Sequence, residues 1–335
     1  MEFIKYAQNR RFEIDPSNVN FAQGDKTDST SRQYDSTFKK LTEFLRKENP
    51  PAVSPNLAIS FFRHLHESGL AASTITTMKS ALTKIFSFGF NIQLMDSLYA
   101  SIPKACARLR PAKRPPPFSW SLNKVLQFAS SITTKDCSYQ LLLRKSLFLL
   151  ALASGARVSE ISALTRDKGF VKFLSSGEVS LSPHLKFLAK NEDPQNRWQP
   201  WKIFPLPQEP SLCPVICLSD YLERTHSWSD GPLFRREMGG TISTNGVKQQ
   251  ILYFIKEADP SSVPKTHDVR KMATSLNFFQ HMDFEALKSF TGWRSQRVFF
   301  KHYYKNIEAI QLPVVAAGKV VSPSQSVRPA IDDSE

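Results

Sequence analysis

Apolar side chains recur at three- and four-residue intervals from position 33 to position 109. These intervals are typical of amphipathic helices. The apolar residues spaced in this way form three groups: Tyr34, Phe38, Leu41, Phe44 and Leu45, then Leu57, Phe61 and Leu65, then Ile75, Met78, Leu82 and Ile85. Pro50, Pro51 and Pro55 separate the first two groups, and Ser68 and Gly69 separate the next two. Because the breaks are short, the pattern predicts a compact helical domain over residues 31–109.

Polar segments flank this predicted domain. Residues 1–30 are rich in Asp, Ser, Thr, Asn and Gln and show little periodicity, which predicts a flexible N-terminal arm. Residues 110–119 form a Pro-rich linker, because proline lacks an amide hydrogen and favours extended backbone. Four cations lie in or next to this linker, namely Arg108, Arg110, Lys113 and Arg114. They suit a strand that crosses a phosphate backbone, and a simple spacer is the alternative.

The remainder of the chain has a mixed pattern. Helical spacing predicts helices over Leu122–Ser131 and Tyr139–Ser154, another from near Val158, and further ones at Pro214–Glu223, Thr244–Ile255, Arg270–Gln280, Phe284–Phe290 and Val298–Tyr304. Short apolar runs between turn formers predict a small antiparallel sheet from Val171–Phe173, Glu178–Leu181, Leu185–Ala189 and Trp201–Phe204. The chain is therefore predicted to be mainly α with a small antiparallel β-sheet. An α+β domain over residues 120–312 follows the helical one, and residues 313–335 form a tail.

The charge of the chain favours a polyanionic partner. Its 335 residues include 44 Lys and Arg against 30 Asp and Glu, a net charge of +14. Each cation placed on a phosphate releases a condensed counterion, so nucleic acid is the leading candidate. A merely basic protein, or one that binds anionic membrane, is the alternative.

Several protein classes are not expected from this sequence. No run approaches the ~20 apolar residues that cross a bilayer, and the amino terminus lacks the apolar stretch of a secretory signal, so we expect a soluble intracellular protein. Four scattered cysteines suit reduced thiols: Cys106, Cys137, Cys213 and Cys217. The last two have a zinc-like spacing, but no second Cys/His pair accompanies them. We expect no metal and no other cofactor.

Two arginine motifs carry candidate chemistry. Arg157 follows Ser154 and Gly155, where a long apolar helix must stop, and Glu160 lies one helical turn further on, where it could hold the guanidinium by a charge-assisted hydrogen bond. An ordinary surface ion pair is the alternative for this pair. His267 and Arg270 are three residues apart at a helix start, which places both on one helical face.

An aromatic segment follows these motifs. Trp293 precedes Tyr303 by ten positions, and Tyr304 is adjacent. Two successive residues of a helix point about 100° apart, so only one of the two tyrosines can reach a given ligand. Taken alone, the pair is typical of an amphipathic aromatic core.

Taken together, the motifs resemble those of the tyrosine recombinases, the family of phage integrases and Cre. The resemblance rests on Gly-x-Arg-x-x-Glu at 155–160, His-x-x-Arg at 267–270, Gly-Trp at 292–293 and Tyr303, and it covers roughly Gln33 to Ala317. Phe187–Lys190, the Cys-Pro-Val at 213–215 and Phe299–Tyr303 are similar to the recombinases of DIRS-like, Ngaro-like and Crypton mobile elements of eukaryotes. The family pairs a helical core-binding domain with a catalytic domain, which is the division predicted above.

The resemblance implies a nucleophile and a phosphate clamp. Tyr303 would attack the scissile phosphorus, leaving a 3′-phosphotyrosyl protein and a 5′-hydroxyl. Arg157 and Arg270 would hold the non-bridging oxygens, because their planar forks suit an oxyanion. Trp293 to Tyr303 spans ten positions where many bacterial members have nine, so Tyr304 stays open as a rival nucleophile.

The resemblance also implies roles for three further side chains. His267 would assist proton transfer, Trp293 would donate its indole N–H to a phosphate oxygen, and Lys190 would protonate the leaving 5′-oxygen. The segment after Lys190 is longer than in many bacterial members, so Lys186 and Lys202 stay open as the acid.

The implied function is site-specific recombination or integration of a mobile element through a Holliday junction. The implied partner is duplex DNA with specific sites, bound by a homo-tetramer, in the nucleus for a eukaryotic element and otherwise in the cytoplasm or nucleoid. Two alternatives remain: a domesticated DNA-binding protein that no longer cuts, and a relaxase like the type IB topoisomerases. The apolar segment Ile307–Leu312 is expected to dock either on a neighbouring subunit or on its own domain.

Overall fold

The chain folds into two compact units, Met1–Pro115 and Pro116–Glu335. The structure is a computed structural model that describes residues 2–17, 28–94, 97–111, 119–190, 192, 195, 197, 200–265, 267–279, 284, 285, 287, 296–304, 314–316 and 319–321. In this part of the chain no helix is both long and apolar enough to span a membrane.

The first unit is helical. Its helices are α1 (Glu2–Asn9), α2 (Asp28–Glu48), α3 (Pro55–Glu67), α4 (Ala72–Lys84) and α5 (Ser97–Leu109), and a π-helical turn at Ile85–Gly89 extends α4. The α3 helix starts at Pro55, a position where the missing amide costs nothing, and the Ser54 side chain accepts a hydrogen bond from the Leu57 amide. The apolar stripes meet in one core that includes Phe38, Leu41, Phe61, Leu65, Ile75 and Leu82.

The amino terminus differs from the expected flexible arm. Residues 2–9 form α1, and Phe3 and Ile4 are buried in the core of the first unit, where the Phe3 ring stacks on Phe38 at 5.8 Å. The prediction was wrong for this stretch because its apolar residues occupy barely two turns, too few for periodicity to stand out from a polar background. Residues 18–27 of the expected arm lie outside the described residues.

The helical part of the first unit ends next to residue 110, where the linker was predicted to start. Helix α5 continues through Leu109, so Arg108 lies in its last helical turn. The Arg110 guanidinium turns back onto the first unit, where it donates to the His66 carbonyl at 2.7 Å. Lys113 and Arg114 lie outside the described residues.

The second unit is built around one buried helix. Its helices are α6 (Leu122–Ser131), α7 (Tyr139–Ser154), α8 (Val158–Ser162), α9 (Pro214–Arg224), α10 (Thr244–Ala258), α11 (Asp268–Phe279) and α12 (Gln296–His302). Helix α7 is buried on nearly every side, as expected of a helix that is apolar all round. Helices α9, α10 and α11 pack against it.

A small antiparallel sheet completes the second unit. Strands β1 (Val171–Phe173), β2 (Val179–Leu181) and β3 (Trp201–Ile203) pair in that order. The expected mainly α fold with a small antiparallel sheet is confirmed. The strand expected at Leu185–Ala189 does not form. Pro183 and His184, just before this segment, lie against the end of α8 instead, because the His184 amide donates to the Ala163 carbonyl at 2.8 Å.

Part of the expected tail is ordered into strands. Strands β4 (Val314–Ala316) and β5 (Lys319–Val321) pair in an antiparallel hairpin, and β4 lies against α7 and α11. The residues Ile307–Leu312, whose docking was left open, lie outside the described residues.

Candidate active site

The end of α7 determines where Arg157 lies. The helix stops at Gly155, whose φ of +56° is left-handed and is readily adopted only by glycine. Helix α8 begins three residues later, with Arg157 as its N-cap residue in extended backbone. The arginine is thus presented from a fixed corner between two helices, and its side chain is only 14% exposed.

Glu160 links this corner to a distant arginine. Its Oε2 accepts a hydrogen bond from the Arg157 backbone N–H at 2.7 Å, and its Oε1 accepts one from the Arg157 Nη1 at 2.6 Å. Arg270 Nη1 lies 3.8 Å from Oε2. The carboxylate is 5% exposed, so this is not the ordinary surface pair that the sequence left open. One buried acid holds two arginines that are far apart in the sequence.

Arg270 occupies the first turn of α11 and is 3% exposed. Its Nη1 donates to the Gly155 carbonyl at 2.6 Å. Burial lowers the pKa of this guanidinium and the positive charge of Arg157 lowers it further, while Glu160 and Tyr303 act in the opposite direction. An arginine stays protonated even so. Two cations against one carboxylate leave an excess of positive charge in a poorly hydrated site, which is suited to bind an anion.

Tyr303 lies against this cation. Its ring centroid is 5.6 Å from Arg270 Cζ, and its side chain is half-buried. The tyrosine follows the last residue of α12, and its amide donates to the Phe299 carbonyl at 2.8 Å. The Ser275 hydroxyl on α11 donates to the Tyr303 carbonyl at 3.0 Å. The structure therefore brings together Arg157, Glu160, Arg270 and Tyr303.

Tyr304, like Tyr303, packs against the apolar cluster of Leu287 and Phe299. The Tyr304 ring packs among aromatic rings at centroid distances of 5.6–6.0 Å; these rings belong to Phe278, Phe279, Phe299 and Phe300. This setting is that of a packing residue.

His267 immediately precedes α11. The residue is exposed overall, yet partial loss of hydration lowers the pKa of its imidazole, and the charges of Lys271, Arg270 and Arg157 lower it further. Asp268 opposes the shift. The positive charges at the site therefore favour a neutral imidazole at pH 7.

The three candidate acids lie around the sheet. Lys190 and Lys186 are exposed in the connection between β2 and β3. Lys202 lies on β3, with its ammonium 3.9 Å from a Glu178 oxygen. Within the described residues, none of the contacts of these lysines reaches the arginine pair. Trp293 lies outside the described residues.

Two groups at the site were not identified from the sequence, namely the Gly155 carbonyl and the Ser275 hydroxyl. Backbone acceptors leave no trace in a sequence. Ser275 lies in a run that includes Thr274 and Asn277, and all three side chains are buried. Polar residues within a helix of otherwise apolar contacts are the signal that could have directed attention to it.

We expect Glu160→Gln to destabilise the fold by about 3 kcal/mol, because it leaves two buried guanidiniums without a counter-charge. Urea denaturation measures the change. The matched control is Glu257→Gln, which breaks the more exposed pair of Arg144 and Glu257 and should cost less than about 1 kcal/mol. Equal costs for the two substitutions would mean that Glu160 is an ordinary surface acid.

We expect the imidazole of His267 to titrate below its ordinary pKa of 6.5. Since the folded protein then binds fewer protons than the unfolded one, this histidine reduces stability as the pH falls below 6.5. Proton NMR of the ring gives the midpoint directly. Lys271→Gln removes a neighbouring positive charge and should raise the midpoint, whereas a midpoint at or above 6.5 in the unaltered protein would contradict the electrostatics described here.

The architecture has counterparts among solved structures. The Tn1549 transposon integrase in complex with transposon right-end DNA is 14% identical, over 90% of this chain and 94% of that chain, with a TM-score of 0.55. A lambda integrase dimer bound to a COC′ core site is 15% identical, over 87% and 96%, with a TM-score of 0.54. A lambda integrase tetramer bound to a Holliday junction is 14% identical, over 89% and 76%, with a TM-score of 0.50. No protein-family model and no curated protein matches the chain. The chain is thus built on the fold of these integrases.

Proposed function

We propose that this chain is a tyrosine-type site-specific DNA recombinase that cuts and rejoins DNA through a 3′-phosphotyrosine. One observation carries the proposal: Arg157 and Arg270 share the buried carboxylate of Glu160, and the phenol of Tyr303 lies against one of them. A nucleophile and a clamp for the equatorial non-bridging oxygens of the five-coordinate transition state are the two parts that phosphoryl transfer needs.

In the proposed reaction the Tyr303 hydroxyl oxygen bonds to the scissile phosphorus as the bond to the 5′-oxygen breaks. The phenolic proton leaves to a base, for which neutral His267 is suited. The 5′-oxygen takes a proton from a lysine, with Lys190 preferred over Lys186 and Lys202. Lys202 is the weakest candidate because Glu178 already lies beside its ammonium. The phosphotyrosine conserves the bond energy, so the 5′-hydroxyl of another strand can reverse the reaction.

Arg157 and Arg270 clamp the two non-bridging oxygens in this proposal. Both guanidiniums are fixed before substrate arrives, Arg157 by Glu160 and Arg270 by the Gly155 carbonyl. Donors that are already oriented stabilise charge in the transition state without reorganisation at the moment of reaction. Trp293 keeps its proposed place as a third donor to the phosphate.

The distribution of charge supports a DNA partner. Between residues 68 and 135 the sequence has nine Lys and Arg against a single acid, Asp96. In this stretch α4 exposes Ser73, Thr76, Thr77 and Ser80, small hydroxyl residues that suit base edges in a groove. Arg108 is exposed on α5 and remains a proposed phosphate contact together with Lys113 and Arg114. Arg110 is the weakest of these four proposed contacts, because its guanidinium is bonded to the His66 carbonyl.

We propose further that the recombinase belongs to a mobile element and acts as a homo-tetramer on specific DNA sites. Two neighbours in fold support this: an integrase of a transposon in complex with transposon DNA, and an integrase tetramer bound to a Holliday junction. The sequence features shared with DIRS-like, Ngaro-like and Crypton recombinases suggest the type of element. A eukaryotic element of this type would place the protein in the nucleus, and a bacterial one in the cytoplasm or nucleoid.

The proposal is tested by trapping the covalent intermediate. The purified full chain is mixed with a pool of nicked suicide duplexes of random sequence, and adducts that resist denaturing detergent are isolated and their DNA ends sequenced. We expect adducts linked through a 3′-phosphate and enriched in one sequence. Tyr303→Phe should abolish them, because it removes the attacking oxygen.

Tyr304→Phe is the matched control and should retain the adduct. An undiminished adduct in Tyr303→Phe would reject this nucleophile. DNA binding without any adduct in the unaltered chain would favour a DNA-binding protein that no longer cuts. Adducts with no sequence preference, together with plasmid relaxation by the monomer, would favour a topoisomerase.

A further inference from the structure

We infer that Ser275 is a positioning residue that fixes the main chain of the nucleophile segment. The inference rests on the proposed function, in which Tyr303 attacks the phosphate. Tyr303 directly follows the last residue of α12. Its amide bonds back to the Phe299 carbonyl of that helix, but its own carbonyl lies past the helix end and takes its partner from another element.

Among the contacts that join Tyr303 to α11, the helix that also carries Arg270, two hold different parts of the tyrosine. The guanidinium of Arg270 lies against the Tyr303 ring at 5.6 Å, and the Ser275 hydroxyl donates to the Tyr303 carbonyl at 3.0 Å. Five residues of α-helix span about 7.5 Å along the axis. One rigid helix thus holds the side chain and the main chain of the tyrosine at two separated points.

The direction of the Ser275 bond distinguishes it from its neighbours. Buried hydroxyl and amide side chains within helices commonly bond to a carbonyl one turn back in the same helix. Thr274 and Asn277 do so, with the carbonyls of Arg270 and Ala273 as acceptors at 2.8 Å. The Ser275 hydroxyl has an acceptor outside its helix, the Tyr303 carbonyl, although the residue is fully buried.

This link has a kinetic consequence. In-line attack requires the phenolic oxygen to lie close to the phosphorus and opposite the leaving oxygen, and small misplacements cost large factors in rate. Ser275 does not touch the phosphate in this account. Loss of its hydroxyl should therefore slow the attack on bound DNA and leave the affinity for DNA unchanged.

The experiment compares Ser275→Ala with Thr274→Val. Each substitution removes one buried hydroxyl from α11 and nearly preserves volume, but only the first breaks the link to Tyr303. With a duplex selected by trapping, single-turnover adduct formation at saturating DNA should fall about tenfold in Ser275→Ala, as expected for the loss of one buried hydrogen bond. The dissociation constant for DNA should stay within about twofold, and Thr274→Val should change neither quantity.

Hydrogen exchange of the DNA-free protein provides a second readout that does not depend on activity. The amides of Tyr303 and Tyr304 both bond to the Phe299 carbonyl, so peptides that contain them should exchange faster in Ser275→Ala and at the original rate in Thr274→Val. If these peptides exchange faster in Ser275→Ala but the unaltered chain forms no adduct, the positioning role of Ser275 is supported and the proposed function fails.

If Ser275→Ala leaves both the adduct rate and the exchange rate unaltered, the inference about Ser275 is overturned, while the proposed function stands. A parallel loss of adduct rate, DNA affinity and melting temperature in Ser275→Ala and Thr274→Val alike would also overturn the inference, since it would show that the hydroxyl only supports the fold.

Discussion

The candidate site depends on the carboxylate of Glu160. Two guanidiniums would repel each other in a poorly hydrated interior, and this acid lies between them, bonded to Arg157 and 3.8 Å from Arg270. The same carboxylate accepts from the Arg157 amide and so fixes the start of α8. Loss of this charge would disturb a helix end and the arginine pair together.

The fold brings the two arginines to that carboxylate. Helix α7 is buried along most of its length, and its left-handed end at Gly155 turns the chain toward Arg157 while presenting a carbonyl to Arg270. Helix α11 packs on α7, which places Arg270 within reach. Tyr303 then lies against the guanidinium proposed to bind phosphate, so nucleophile and phosphate would converge on one cation.

Local signals in the sequence were sufficient for much of the second unit. The predicted bounds of Leu122–Ser131 and Tyr139–Ser154 agree with α6 and α7. At the start of α7 the Ser138 side chain accepts a hydrogen bond from the Leu141 amide, and Gly155 ends the helix. Short elements were less predictable. Helix α1 has too few turns for periodicity, and the segment at Leu185–Ala189 has strand-like residues but pairs with no strand among the described residues.

The geometry of the site could not be obtained from the sequence. The spacing of Arg157 and Glu160 fits a surface ion pair as well as a buried one, and only the packing of α11 on α7 shows that the pair is buried and shared with Arg270. The choice between Tyr303 and Tyr304 likewise depends on which ring lies against Arg270, since both pack against the same apolar cluster. These are contacts between distant parts of the chain, which periodicity does not report.

The most direct test of the central claim is the binding of orthovanadate, a mimic of the phosphoryl transition state, to the DNA-free protein, followed by vanadium NMR. The arginine pair on Glu160 should bind this anion, and Arg157→Ala or Arg270→Ala should each weaken binding at least about tenfold. Arg108→Ala, which removes an exposed cation of the first unit, should leave it unchanged. Equal losses in all three variants, or no loss in any, would contradict the account.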